Sequence, residues 1–176
     1  MNHLLNRRLF GQSIAVSAAA TWATGLHATE SSTSKPVASV ASTPIVPLVL
    51  SDAQWKARLS EIQYLVMRKE GTERPGSSPL NNEKRKGRYL CAACQLPLFD
   101  SSTKYDSGTG WPSFHTSLPD ALGMKTDFKL VYPRTEYHCI RCGGHQGHVF
   151  NDGPKPTGKR YCNNGVALAF VPSPLT

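Results

Sequence analysis

A chain of 176 residues has room for one domain plus extensions. Its 39% hydrophobic content supports a core but excludes a membrane bundle, and its 14 glycines and 13 prolines favour short strands and turns over long helices. The formal charge of +8 would tolerate anionic partners, yet an excess of this size usually reflects a solvated surface and does not by itself mark a nucleic-acid binder.

In chain order, residues 1–28 contain Arg7 and Arg8 and no acid. A basic start, a short and weakly apolar middle over 9–26 and a cleavage after Ala28 read as an export signal, although Leu26 fits poorly three residues before the cut. The adjacent arginines followed by Leu9 and Phe10 resemble the twin-arginine signal, which would place the mature protein in the periplasm. An uncleaved membrane anchor is the weaker reading, because Ser13, Ser17, Thr21, Thr24 and Gly25 interrupt a run shorter than about 20 apolar residues. A mitochondrial presequence is a further alternative. Residues 29–50 are dominated by Ser, Thr, Pro, Ala and Val without periodicity and read as a disordered linker.

Ser51 with Gln54 forms a capping-box pattern, with Leu50 placed to staple onto Trp55. Trp55, Leu59, Ile62 and Val66 recur at helical spacing and predict one helix over 52–67, ending before Gly71. Residues 71–87 form a polar connection, and the basic run at 83–88 lacks an interleaved aromatic for base stacking, so it reads as an exposed turn. The pattern then turns β-like. Strands are predicted at 88–90 and 96–99, a hairpin pairs 128–132 with 135–139 around Pro133 and Arg134, and Val166, Leu168 and Phe170 alternate in a closing strand.

Four of the five cysteines form two C-x-x-C pairs, Cys91/Cys94 and Cys139/Cys142, with 44 residues between the pairs. Each pair puts two sulfurs on one tight turn, and two such turns supply the four-sulfur cage that Zn²⁺ favours in structural sites. One Zn²⁺ per chain would staple two distant hairpins. An iron–sulfur centre, two disulfides or a redox-active C-x-x-C are the alternatives. A closed four-cysteine site has no open coordination position, so it directs attention to the fifth cysteine.

Cys162 follows Lys159, Arg160 and Tyr161, and nearby cations favour the reactive thiolate. His145 and His148 lie upstream and Asn164 two residues beyond, so a thiolate with imidazole, guanidinium and amide neighbours could attack an electrophile and protonate its departing oxygen. A lone cysteine is more often a small buried hydrophobe, and a histidine pair at this spacing is often structural. The run Ser107-Gly108-Thr109-Gly110-Trp111-Pro112-Ser113-Phe114 suggests a rigid turn presenting an indole to a pocket.

Taken together, C-x-x-C before P-L-F, then T-K-Y-D-S-G-x-G-W-P-S-F and C-G-G-H-x-G-H-V-F-x-D-G-P-x-P-T-G-x-R-Y-C-x-N resemble the B-type methionine-R-sulfoxide reductases over residues 51–172. The resemblance implies a mainly β fold of two antiparallel sheets with short flanking helices, in a domain over 51–173. It implies that Cys91, Cys94, Cys139 and Cys142 hold the structural zinc and that Cys162 is the nucleophile. Trp111, with Phe114, packs the substrate's methyl group. His145, His148 and Asn164 line the site, and Asp152 and Arg160 orient it and promote the thiolate. Oxidised methionine in proteins or peptides is the implied substrate, with each epimer needing its own enzyme.

Many relatives carry a recycling cysteine where this chain has Thr109, so a thioredoxin-like protein or small thiol is the expected reductant of the Cys162 sulfenic acid. Relatives also usually have serine at Gly165 and Ala167, which would cost two hydroxyls near the nucleophile. The expected protein is a monomer that binds no nucleic acid and does not stay in a membrane. Rival readings are a zinc-knuckle binding module, which leaves Cys162 and the Trp111 turn unexplained, and a thiol peroxidase using the same cysteine.

Overall fold

The structure is a computed structural model that describes residues 44–130 and 132–174. The expected export signal and most of the linker lie outside the described residues. No helix among those described is long and apolar enough to cross a membrane.

The linker expectation ran too far. Residues 44–50 have no regular structure, but the Leu48 amide donates to Arg141 O at 2.7 Å, and Leu48 and Leu50 pack against the core. The single predicted helix is two, α1 Asp52–Arg58 and α2 Glu61–Lys69. Ser51 and Gln54 form the expected capping box, and Ser60 with Gln63 forms a second one that starts a new helix. Leu59 is extended as the C-cap of α1, so a side-chain competitor for backbone hydrogen bonds breaks the helix without proline or glycine.

Nine strands among the described residues form two antiparallel sheets, as the mainly β expectation required. The smaller orders β2 (Pro97–Asp100), β1 (Gly87–Cys91) and β9 (Leu168–Pro172). The larger runs β3 (Lys104–Tyr105), β4 (Ser113–Phe114), β8 (Arg160–Asn163), β7 (His145–Phe150), β6 (Arg134–Cys139) and β5 (Leu122–Asp127). The predicted strand at 128–132 is a correction: the hairpin partner of β6 is β5, and Phe128, Leu130 and Tyr132 are exposed in the connection. Asp127 ends β5 by accepting from the Lys129 amide at 2.8 Å while pairing with Arg134 across the hairpin mouth at 2.6 Å. Val166 likewise leaves the closing strand for a 3₁₀ turn at Gly165–Ala167.

The sheets meet through aromatic rings. Tyr89 and Phe99 of the smaller sheet are fully buried against Phe114 of the larger, the Phe99 and Phe114 rings stacking at 4.2 Å. Phe99 also meets Tyr137 and Tyr161 edge-on, at 6.2 and 5.9 Å. Such pairs contribute roughly 0.5–1.5 kcal/mol each beyond area burial. Side chains alternate along a strand, so filling one face of the larger sheet with Phe114, Tyr137 and Tyr161 sends their neighbours to the other face. α2 packs on β7 and on the Gly165–Ala167 turn, and Trp55 of α1 is buried beneath the Arg68 guanidinium, 4.8 Å from its ring.

Substituting Ser60→Ala removes the cap that restarts the helix and should lower stability by about 1 kcal/mol. Urea unfolding followed by circular dichroism checks this through a lower midpoint at unchanged slope.

Candidate active site

Cys162 lies on β8 directly opposite His148 of β7 on one side and Ser113 of β4 on the other. Directly paired residues share a face. Phe150 opposite Arg160 continues the set on β7 and β8, and Glu136 opposite His148 extends it to β6. The face opposite the aromatic core therefore carries Ser113, Cys162, Arg160, His148, Phe150 and Glu136. A pocket of about 180 Å³ opens on it, lined by Cys162, His148, Arg160, Phe150, Arg134 and Asn164 with Thr72, Thr109 and Trp111 from loops. It has room for one side chain and not for a drug-sized ligand, which needs roughly 300–1,000 Å³.

The same alternation overturns the expected role of Phe114. As the neighbour of Ser113 it points into the core, fully buried, and the phenyl ring in the pocket is that of Phe150. Trp111 does line the pocket, and its indole Nε1 donates to Glu73 O at 3.2 Å. Gly110, with φ +89°, makes the turn that delivers it.

Two histidines three residues apart would face opposite sides of a regular strand. Here Tyr137 pairs with Gly147 and His138 with His145, so Gln146 is an extra residue and the bulge returns His145 to the His148 face. Their rings stand 5.4 Å apart. His148 lines the pocket, with Nε2 2.7 Å from Asp127 Oδ2. His145 lies behind it, 2% exposed, with Nδ1 2.7 Å from Glu136 Oε1 and a buried Nε2 that has no hydrogen-bond partner. Burial lowers the His148 pKa despite the Asp127 carboxylate, which favours the neutral imidazole. Asp127 is itself held well below the usual carboxylate range, chiefly by the Lys129 amide. For Glu136, burial alone would raise the pKa, but His138 and His145 outweigh it and hold the carboxyl at about 2.

None of Asp127, Arg134, Glu136 or Glu73 was singled out from the sequence as a site residue. The signal available for Asp127 and Arg134 was their place at the two ends of the hairpin connection.

Asn164 lines the pocket but its amide is committed: Oδ1 accepts from the Glu73 amide at 3.0 Å and Nδ2 donates to Gln146 O at 3.0 Å. Arg160 lies over the Phe150 ring at 4.3 Å and bonds Asp152 through two contacts of 2.8 Å. Asp152 is exposed and reaches the site only through that arginine. Around Cys162, burial pushes the thiol up and outweighs the downward pull of Arg160 and the Thr109 hydroxyl. Arg160 thus favours the thiolate, as its place beside the cysteine led one to expect, but burial is the larger effect and shifts the balance toward the thiol.

Gly165 and Ala167 do not face the pocket. A Cβ on Gly165 would lie 1.9 Å from Ser78 Oγ, so a serine there does not fit beside Ser78. The Gly165 and Val166 amides donate instead to the buried Glu73 carboxylate, at 2.5 and 3.0 Å.

The four remaining cysteines are all buried and free. Cys91 and Cys94 come from the β1–β2 turn, Cys139 and Cys142 from the β6–β7 turn, so the cluster joins the two sheets. Their sulfurs all lie within 4.8 Å of one another, with Cys91–Cys142 at 3.6 Å and Cys94–Cys139 at 3.5 Å. A tetrahedron with metal–sulfur bonds of about 2.3 Å has edges of about 3.8 Å, so the set fits one metal ion. Sulfur–sulfur hydrogen bonds, foremost to Cys139, raise the Cys91 pKa and lower those of Cys94 and Cys142, while Cys142 raises that of Cys139. Four adjacent thiolates would need a cation to offset their charge. Replacing Cys94→Ser should abolish binding of one metal equivalent per chain, as read by elemental analysis, and lower the thermal midpoint by more than 10 °C.

The SelR domain family matches residues 59–172. The peptide methionine sulfoxide reductase MsrB of Pseudomonas putida (strain W619) is 52% identical over 120 residues, covering 68% of this chain and 90% of that protein. MsrB of Methanosarcina barkeri is 53% identical over 121 residues, covering 68% and 85%. The chloroplastic peptide methionine sulfoxide reductase B1 of rice is 49% identical over 120 residues covering 68% of this chain, which spans only 56% of that longer relative. Among solved structures, the Mis18 'Yippee-like' domain aligns over 52% of this chain and 100% of its own at 16% identity and a TM-score of 0.41. By family match and by identity, the chain belongs to the SelR family, the B-type peptide methionine sulfoxide reductases.

Proposed function

We propose that this chain reduces the R epimer of peptide-bound methionine sulfoxide to methionine, with Cys162 as the nucleophile. The observation that carries the reading is the register that sets Cys162 opposite His148 in a pocket walled by the Trp111 indole. An indole and a phenyl ring suit the apolar S-methyl group, and the imidazole suits the sulfoxide oxygen.

The chemistry balances without an added acid. Cys162 sulfur bonds the sulfoxide sulfur as its proton passes to neutral His148, which delivers it to the oxygen. Oxygen transfer then leaves methionine and a Cys162 sulfenic acid, so sulfoxide and thiol become thioether and sulfenic acid. In this reading the Cys162 thiol is itself the source of the proton that the departing oxygen needs. His145, buried behind His148 and bonded to Glu136, is positioned to hold His148 rather than to touch substrate. Arg160 offsets the charge on sulfur during attack, and Asp152 fixes the guanidinium.

A sulfenic acid needs a thiol for its return. Thr109 stands where a recycling cysteine would, and the other four cysteines of the chain are gathered in the buried cluster. A thioredoxin-like protein or small thiol is therefore the proposed reductant of a monomeric enzyme. We propose Zn²⁺ as the metal held by Cys91, Cys94, Cys139 and Cys142, acting as a staple between the sheets and not in the reaction.

We further propose periplasmic export through the twin-arginine-like segment, with the metal bound before transport. Replacing both Arg7→Lys and Arg8→Lys should then retain the protein in the cytoplasm, and unchanged export would overturn the route.

The reductase reading is tested with separated R and S epimers of a methionine-sulfoxide peptide and dithiothreitol as reductant. Turnover of the R epimer alone, lost in Cys162→Ser, is expected. Equal turnover of both epimers, or activity persisting in Cys162→Ser, would contradict it.

A further inference from the structure

Beside Cys162 stands a chain of three hydroxyls that the reaction as described does not use. Ser113, directly opposite Cys162 across the β4–β8 pair, is fully buried. Its Oγ lies 2.7 Å from Ser107 Oγ and 3.1 Å from Trp111 O. Ser107 Oγ lies in turn 2.8 Å from Thr109 Oγ1, and Thr109 lines the pocket with Cys162.

Each hydroxyl has one proton to donate, so the chain has only two consistent directions. In the first, Ser113 donates to Trp111 O, Ser107 to Ser113 and Thr109 to Ser107. Thr109 Oγ1 is then an acceptor toward Cys162 and suits the thiol. In the second, Ser113 donates to Ser107, Ser107 to Thr109, and Thr109 to Cys162 sulfur. This direction suits the thiolate, and it gives up only the 3.1 Å contact to Trp111 O. No proton leaves the chain in either direction, because it ends at a backbone carbonyl. It reorients around the charge on sulfur and does not carry a proton away.

We propose that Thr109, oriented by Ser107 and Ser113, is a reversible hydrogen-bond partner of Cys162 that accepts from the thiol and donates to the thiolate formed during attack. The position that holds a recycling cysteine in many relatives would thus serve here to ease formation of the nucleophile instead of resolving its oxidised form. The inference rests on the reading of Cys162 as the nucleophile. The downward pull of the Thr109 hydroxyl on the Cys162 pKa, against the larger upward effect of burial, is in keeping with it.

The test is the rate at which iodoacetamide alkylates Cys162 in the full chain as a function of pH, followed by mass on the Cys162 peptide. It needs no sulfoxide, so it separates failure of this inference from failure of the reductase reading. The other titratable and charged groups about the thiol stay unchanged in the variants: Arg160 on β8, Asp152 before it, His148 on β7, Tyr105 on β3, and Arg134 and Tyr137 on β6. Hydrogen bonds to charged groups are strong enough that Thr109→Val should slow alkylation at pH 8 about tenfold and move the rate curve up by about one pH unit. Thr109→Ser should stay within about twofold of the parent, and Ser107→Ala should fall between the two. In denaturant all variants should react alike. A Thr109→Val curve that overlays the parent overturns the inference. So does a Thr109→Ser variant as slow as Thr109→Val, since that would assign the effect to the lost methyl packing and not to the hydroxyl.

Discussion

The pairing of β4, β8 and β7 is the constraint on which the site depends. Cys162 sits in the middle of three antiparallel strands, and its two direct partners are Ser113 and His148. With a side-chain period of two, the same pairing sends Phe114, Tyr161 and Asn163 to the opposite face. Core and site are thus two sides of one register. A one-residue slip would place Tyr161 in the pocket and Cys162 among the aromatic rings, so the packing that stabilises the sheet also fixes the Cys162 thiol in the pocket. The four-cysteine cluster contributes from a distance. It ties the β1–β2 turn to the β6–β7 turn, and β7, which leaves that turn, carries both histidines.

Burial exacts a cost at the Cys162 sulfur. A thiol placed in a small pocket, between a sheet face and two aromatic walls, loses hydration that its anion needs. Arg160 returns part of this, steadied by Asp152, yet burial dominates. The arrangement suits the proposed reaction, which consumes a proton as it forms a bond to sulfur. Under the proposed reaction, a thiol beside an imidazole would bring both nucleophile and proton, whereas a preformed thiolate would bring only the first. The carboxylates of Asp127 and Glu136 hold the two imidazoles in place without ending in the pocket themselves.

The spacing of the two C-x-x-C pairs made the metal cluster legible, because a tight turn leaves two sulfurs few places to go. The long motif around Cys162 also marked that cysteine and the Trp111 indole, which the fold brings to one pocket. Geometry across strands was not legible. Phe114 adjoins a site residue in sequence but faces the core, which follows only once Ser113 is known to pair with Cys162. His145 and His148 share a face because of a bulge at Gln146, a residue with no special composition. Asp127 and Arg134 come together across a hairpin whose first strand is exposed from Met124 to Thr126 and lacks an apolar alternation, so a hydrophobic pattern placed that strand six residues late. The helix break at Ser60 escaped because apolar periodicity continued through it while a local cap competed.

The most direct measurement is a crystal structure of the Cys162→Ser protein with a methionine-R-sulfoxide peptide. The account predicts the sulfoxide sulfur within about 3.5 Å of the residue 162 side-chain oxygen, the S-methyl group against the Trp111 indole and the sulfoxide oxygen turned toward His148. A sulfoxide bound with its oxygen turned away from His148, or seated outside the pocket between β7, β8 and the Trp111 turn, would contradict it.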